Sequence, residues 1–542
     1  MKLKGFGNRA YNIFFHLHTV SGIVISVALF VIFFAGAFTL FKTEFYLWEN
    51  PRARKGAPAQ TNPEEILKKV REQLAGFDLD DDTFITFPTA SHPVINLYGH
   101  IKPESGEGEI HYAGKMNPGD SKLYETAEST VGETLYRLHF LDQIPYAGRW
   151  LAGFTSLFFV FASITGLLVH WKNMLTKFWA LSFKGARKQI WTNSHTVLGL
   201  LGLPYQLMYA VTGAFYLLLI LVLMPAVMVL YEGKPEHVYA LAYPAYGVAY
   251  DDDAPPAVHT GRLAALHERV MGLYGKDYDI LAVQLRHFNK EDAAVNYRLV
   301  ARNSSFFSSH GYVGYRLADG SEIYSELPGE GKKLTYKVIE AFSHLHFATF
   351  GGMFVKGIYF VMALFTCYVI VSGILIWKEA RNNRNYTPKQ KKFHHRVTLI
   401  FLSVCFSLFP AIALLFTAEM ALQGIEDHTL WVNTVFFTGW LALAMAGFSL
   451  KTEKKLTWFC LFTGGLLSVT VPVANGLVTG DWLWHTMSVH IWATDLFWLL
   501  TGILCLALSV GGRKPADSVP DDSRESRRQL LRSAATGFRS GI

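Results

Sequence analysis

Four histidines recur at matched places in this chain, and imidazoles so placed could ligate iron. His18-Thr19-Val20-Ser21-Gly22 and His195-Thr196-Val197-Leu198-Gly199 each open a long apolar stretch, and one register carries both to Gly36-Ala37-Phe38 and Gly213-Ala214-Phe215 without a gap. Leu138-His139-Phe140 and Leu345-His346-Phe347 precede two more apolar stretches, which close on Thr165-Gly166 before Trp171-Lys172 and on Ser372-Gly373 before Trp377-Lys378. The chain to about residue 378 therefore reads as two copies of one unit: helix, outer module, histidine, helix. Copies running in the same direction imply a pseudo-two-fold axis along the membrane normal. Such an axis sets His18 and His195 at one depth, near the cytoplasmic face, and His139 and His346 at another, near the outer face. Imidazoles paired across a bundle are axial ligands for haem iron, and no C-x-x-C-H motif is present to attach the group covalently. Two b-type haems, each held by two histidines, are expected. Gly22 and Gly36 fall on nearly the same helical face as His18, as Gly199 and Gly213 do for His195, which would let a flat porphyrin lie against the backbone.

Other histidines compete for these roles. His16 and His344 lie two residues from His18 and His346 and so point to nearly the opposite side. His18 is preferred because His195 has no histidine two places earlier, and His346 because it aligns with His139. His394, His395, His485 and His490 could ligate a third haem or line a quinol site. Lys391-Lys392-Phe393-His394-His395-Arg396 reads rather as a basic interfacial collar, while His485 and His490 stay open. His170 has no counterpart in the second copy and is expected at the interface. The bland reading of all these residues is interfacial anchoring or hydrogen bonding within the bundle. Symmetric pairs of ionisable residues inside a membrane weigh against it. The four cysteines, all in apolar stretches and without a C-x-x-C pair, encode neither disulfides nor a cysteine metal site.

The elements that must position these residues follow from composition. Of 542 residues, 51% are hydrophobic and 17% charged, with several apolar runs long enough to span a bilayer. The fold class expected is a polytopic α-helical membrane protein. Helices are expected near 14–41, 147–171, 195–231, 353–377, 396–422, 430–450, 457–478 and 484–510. Lys2, Lys4 and Arg9, then Lys172, Lys177, Lys184, Arg187 and Lys188, and later Lys378, Arg381, Lys451 and the tail from Arg513 make every second connection basic. Both termini are thus expected in the cytoplasm. The net charge of +7 is used up in this topology, so nucleic acid is not an expected partner. Ala35-Gly36-Ala37 imitates a cleavage site, but the apolar run before it is too long for a signal peptide, so the first helix is expected to stay.

The expected division is a first helix in 1–42, an outer module in 43–138, the second and third helices in 139–231, a second outer module in 232–343 and the fourth helix in 344–378. Four added helices in 379–511 and a basic tail in 512–542 complete it. Both modules read as small α+β units. Asn62-Pro63-Glu64-Glu65 starts a helix before strands near Phe84–Phe87 and Val94–Tyr98. Arg262–Tyr274 is a helix before strands at Ile280–Phe288 and Val295–Val300 and a hairpin turning at Asp319-Gly320. Asp251-Asp252-Asp253 beside Pro255-Pro256 reads as a solvated loop.

The ordered set of His-x-x-x-Gly openings, Leu-His before the second and fourth helices, and Thr/Ser-Gly then Trp at their ends resembles the PepSY-associated transmembrane family, over roughly residues 10–378. Its best-understood members are inner-membrane, haem-containing reductases that pass electrons to ferric siderophores in the periplasm. The resemblance implies haem ligation by His18, His195, His139 and His346, with a ferric siderophore and the membrane lipid as partners. No G-x-G-x-x-G follows a strand and no flavin domain is evident, so the electron donor expected is a quinol or a separate protein. The helices from about 396 to 510 depart from the shortest members. Two rivals stand beside this reading. One is a haem-free, membrane-anchored binding or regulatory protein; the other is a permease, for which carboxylates deep in the spans are too scarce.

Overall fold

The computed structural model describes residues 6–51, 54, 62–89, 92–102, 110–116, 123–124, 129–179, 182, 185–302, 309–328, 334–486 and 488–511. Lys2, Lys4, Lys184 and the basic tail lie outside them. In chain order the helices are α1 (Asn8–Thr39), α2 (Lys42–Glu49), α3 (Pro63–Gln73), α4 (Val131–His139), α5 (Gly148–His170), α6 (Met174–Phe178), α7 (Arg187–Leu201) and α8 (Leu203–Leu230). They continue with α9 (Pro235–Ala242), α10 (Arg262–Tyr274), α11 (Leu334–Phe347), α12 (Gly352–Ala380), α13 (Pro388–Ala421), α14 (His428–Ser449), α15 (Glu453–Thr479) and α16 (Val489–Gly511).

Among the described residues seven helices are long and apolar enough to cross a membrane: α1, α5 with its continuation, and α12 to α16. An eighth span exists if α7 and the start of α8 count together. The single helix expected over 195–231 is instead broken, with a bend of 66° between Arg187–Leu201 and Leu203–Leu219. Pro204 explains the break, because it offers no N–H and its ring collides with the carbonyl one turn back. Gly202 closes α7 by donating to the Leu198 carbonyl. The start of α13 lies earlier than expected because Thr387 and Gln390 form a reciprocal capping box with Pro388 in the first turn.

The helices α1, α5, α8, α7 and α12 form a connected set, with α1 against α5 and α12, α8 against α5, and α7 against α12. The added helices do not form a separate bundle. Phe38 of α1 stacks on Trp498 of α16 at 5.8 Å, and Phe416 of α13 joins the same buried cluster. Trp48 Nε1 donates to Asp495 Oδ1 at 2.7 Å. The nearly buried Arg54 donates to Asp481 Oδ2 and Asn475 Oδ1, each at 2.8 Å, and to Thr479 Oγ1 at 3.0 Å. The residues just after the first span are therefore tied to the ends of α15 and α16. Beside them Glu49 and Glu419 are both buried, the first accepting from the Val131 backbone N–H at 2.7 Å, the second from His428 Nε2 at 2.9 Å.

The two long connections do not fold as the two separate modules expected. Their strands are β1 (Phe77–Asp78), β2 (Thr83–Thr86), β3 (Ile95–Ile101), β4 (Ile110–Met116), β5 (Leu123–Tyr124), β6 (Tyr278–Arg286), β7 (Ala294–Ala301), β8 (His310–Arg316) and β9 (Glu322–Glu326). All join one antiparallel sheet in the order β5-β4-β3-β2-β6-β7-β8-β9, with β1 on β3. The seam is β2 against β6, with Phe84 opposite Gln284 and Ile85 opposite Val283. Val70 of α3, Val270 of α10, Ile85 and Val283 share one fully buried core. Glu64 crosses the seam as well, accepting from the Gly261 and Ala264 backbone N–H groups at 2.6 and 2.8 Å, so a side chain of one half caps a helix of the other.

Candidate functional site

Both expected histidine pairs meet. The rings of His18 on α1 and His195 on α7 have centres 6.1 Å apart at 69°, and those of His139 on α4 and His346 on α11 have centres 6.0 Å apart at 50°. Two imidazoles bound through nitrogen to one first-row metal ion at about 2 Å place their centres about 5–6 Å apart, the larger value when they face each other across the ion. The spacing of both pairs matches that requirement.

Every ring is held by its Nδ1. His18 Nδ1 lies 2.8 Å from the Ala162 carbonyl, His195 Nδ1 2.9 Å from the Val369 carbonyl, and His139 Nδ1 2.7 Å from the Ile32 carbonyl. The exception is His346, whose Nδ1 meets the Thr212 hydroxyl at 2.8 Å rather than a carbonyl. A hydrogen bond at Nδ1 fixes the tautomer and leaves Nε2 as the ligating atom, which is the usual support of a metal-bound histidine. Glycine one turn past each carbonyl makes the room. A Cβ on Gly166 would stand 2.9 Å from His18 Cε1, on Gly373 3.3 Å from His195 Cε1, and on Gly36 2.5 Å from His139 Nδ1. The Thr-Gly and Ser-Gly endings of α5 and α12 are thus the seats of the inner pair.

This reassigns two glycines. The space beside Gly36, expected to admit a porphyrin, is taken by the His139 ring itself, and a Cβ on Gly213 would meet Ser156 Oγ at 2.9 Å. Both still line the outer cavity. Gly22 and Gly199 keep the expected openness, with nothing within 4 Å of a Cβ.

The outer pair lines a cavity of about 520 Å³ between α1, α5, α8 and α12, with Phe33, Tyr209 and Ala363 in its wall and Arg137 and Arg149 at its rim. Both arginines are anchored on Asp142, at 3.1 and 2.5 Å. The inner pair lines a much narrower cleft of about 80 Å³, filled in by Leu167, Leu200 and Leu203. As it stands this cleft is too small for a porphyrin. Among the described residues no three His, Cys, Asp or Glu side chains gather into a metal site. Each pair offers two ligands only, so a metal ion held there would need its remaining coordination positions filled from elsewhere.

The remaining histidines separate. His16 is exposed beside Phe15, and His344 is buried away from the pair, bonded to Thr349 and stacked on His310 at 5.6 Å. His395 bonds the Lys451 carbonyl at 3.0 Å and His394 packs on Trp377 at 5.0 Å, as a collar would. His485 is exposed beside Trp484, while His490 faces a different, apolar pocket. One residue was undervalued by the sequence reading: His170 lines the inner cleft and lies 3.4 Å from Thr196 Oγ1. Thr212 could not be singled out from sequence, since a membrane threonine commonly bonds its own helix, as Thr212 also does.

Comparison with known proteins adds a family. The model of the family described as "PepSY-associated TM region" matches residues 15–380, a stretch holding all four paired histidines and the sheet. A protein of Pseudomonas aeruginosa described as uncharacterized is 23% identical over 360 residues, covering 63% of this chain and 86% of its own length.

Proposed function

The chain belongs to the family of PepSY-associated TM regions, and on that premise we propose that it is an inner-membrane oxidoreductase carrying electrons across the bilayer to ferric siderophores in the periplasm. One observation carries the reading: two pairs of imidazoles, each ring held at Nδ1 and each pair spaced for one shared metal ion. In this reading His18 and His195 hold the cytoplasmic-side haem b, His139 and His346 the outer one, and the sheet faces the periplasm with both termini in the cytoplasm. A bound haem would supply reversible one-electron storage at each depth.

The chain's own residues do the rest. The Ala162, Val369 and Ile32 carbonyls and the Thr212 hydroxyl orient the rings and raise their basicity. Phe33, Phe159 and Leu217 form the apolar part of the outer cavity's wall, while Arg137 and Arg149 stand at its mouth beside Asp142 and Glu133. The guanidinium N–H groups not spent on Asp142 could donate to carboxylates of a bound group. Reduction serves release because oxygen-donor chelators favour the harder ferric ion. Two pairs at two depths are what a relay needs and what a membrane anchor for a binding domain does not.

The test is a reduced-minus-oxidised absorbance spectrum with the haem-to-protein ratio, followed by ferric-chelate reduction in membranes carrying His139→Ala. Sharp low-spin b-type bands at about two haems per chain, and loss of reduction in the variant, are expected. A featureless spectrum from folded, haem-supplied protein, or unchanged reduction in the variant, refutes the proposal.

A further inference from the structure

A second cavity, of about 290 Å³, lies where α1, α2, α12 and α16 meet, and its wall is almost wholly apolar. Five phenylalanines line it, and four of them, Phe38, Phe41, Phe360 and Phe497, contact one another at ring-centre distances of 5.5 to 6.1 Å. Its lining also includes Met353 and Val489, 49% and 64% exposed, at the starts of two spans, so the mouth faces lipid. Only three lining side chains are polar, Glu44, His490 and Thr494.

Thr494 donates to the His490 carbonyl at 2.9 Å, but the other two polar groups keep unused capacity. Glu44 Oε1 accepts from Lys356 Nζ at 2.6 Å, but Oε2 is buried with no hydrogen-bond partner. His490 is half-buried, and its ring has no hydrogen-bond partner among the described residues. A buried acceptor left unmatched costs free energy unless something fills it. The cavity also shares two walls with the outer histidine pair: Gly36 of α1 faces that pair's cavity and Phe38 this one, as do Ala363 and Phe360 of α12.

We infer that this cavity binds the ring of a lipid-soluble quinol. The aromatic wall suits a flat conjugated ring, and the lipid-facing mouth admits its isoprenoid tail. Glu44 and His490 suit hydroxyl groups, which must both donate and accept; an acyl chain would leave both unmatched. As an electron donor the quinol rests on the proposed electron-carrying role, and because its cavity adjoins the outer pair it would be a second entry that feeds His139 and His346 directly, beside the route from His18 and His195. Its oxidation to the quinone breaks two O–H bonds and releases two electrons and two protons. Two ferric chelates take one electron each, and the protons pass to Glu44 and His490 and on to water. This assigns part of the added helices, through α16, to the supply side of the reaction.

The experiment uses the full chain in detergent with a short-chain azido-quinone as photolabel, competed by unlabelled short-chain quinone or by a fatty alcohol of equal length. Saturable labelling of peptides from α12 and α16 is expected, competed by quinone and not by alcohol, with Phe360→Trp and His490→Ala each weakening binding tenfold or more. The two substitutions stand on different helices, so one that misfolds leaves the other decisive. Equal competition by the alcohol shows a lipid slot and overturns the inference, as does unchanged binding in a folded variant. Haem content is read on the same sample. Haem-replete protein that binds no quinone sinks this inference alone, whereas haem-free protein that binds quinone sinks the electron-carrying role and leaves the site standing.

Discussion

Replacing Gly36 by alanine should remove the outer histidine from its place while leaving α1 intact. The added methyl would stand 2.5 Å from His139 Nδ1 and 2.7 Å from Cε1, well inside any van der Waals contact. The ring cannot slide aside without losing the 2.7 Å bond between Nδ1 and the Ile32 carbonyl, one turn earlier on the same helix. Within a helix the substitution itself is favourable by about 1 kcal/mol. Against that, forcing a carbon into a packed site costs about 1–3 kcal/mol, and the lost hydrogen bond about 1 kcal/mol more. The net destabilisation is about 1–3 kcal/mol, concentrated on one side chain. The readout is the haem-to-protein ratio with the reduced-minus-oxidised spectrum, and the ratio should fall from about two to about one. Gly213→Ala is the matched comparison, because its methyl meets Ser156 alone, Oγ at 2.9 Å and Cβ at 3.4 Å, and the hydroxyl can rotate away for the loss of its bond to the Ala152 carbonyl. An unchanged ratio and unchanged band positions in Gly36→Ala would show that His139 holds no cofactor in this position.

Two further predictions concern stability. Burial, and after it the neighbouring Glu419 carboxylate, push Glu49 from its usual 4.5 up to about 7. Between those values the folded chain keeps a proton that the unfolded chain has released, so stability should fall as pH rises through this window. Glu49→Gln should flatten that slope in thermal melts at pH 5 and 7, and a variant with the wild-type slope would refute the assignment. Arg54→Ala should cost roughly 1–3 kcal/mol, as loss of hydrogen bonds to a charged group does, because the buried Asn475 and the half-exposed Asp481 lose their donor; a melting temperature equal to that of the wild type would count against the tie.

The histidine pairs were legible because their ligand positions sit in local motifs that occur twice. His18, His195, His139 and His346 each carry neighbours that identify them, and helical period brings the partners to matching depth. What holds the rings was not legible, since Ala162, Val369 and Ile32 act through backbone carbonyls that have no residue type. The break after Gly202 was within reach, as Pro204 was visible, but a proline in a membrane helix is often absorbed without a break, as Pro225 and Pro410 are here. The union of the two outer segments was out of reach for a different reason. The alternation around Ile85 and Val283 marks strands and their buried faces, yet it says nothing of which edge each strand will meet. The pocket around Phe360 was also hidden, because its walls come from four helices and phenylalanine is the ordinary residue of all of them.

With the sheet outside the membrane, as proposed, the seam between β2 and β6 sets a timetable for biogenesis. When β2 leaves the translocation machinery its partner has not been made, and the chain between Thr86 and Tyr278 includes α5, α7 and α8. At about 5–20 residues per second the free edge of β2 waits roughly 10–40 s, with Ile85 and its neighbours uncovered. An unpaired, partly apolar strand edge is a template for the wrong strand. The first half-sheet therefore keeps an open edge until the second arrives, and a delay in inserting the middle spans would be felt first as aggregation of a domain that those spans do not contain.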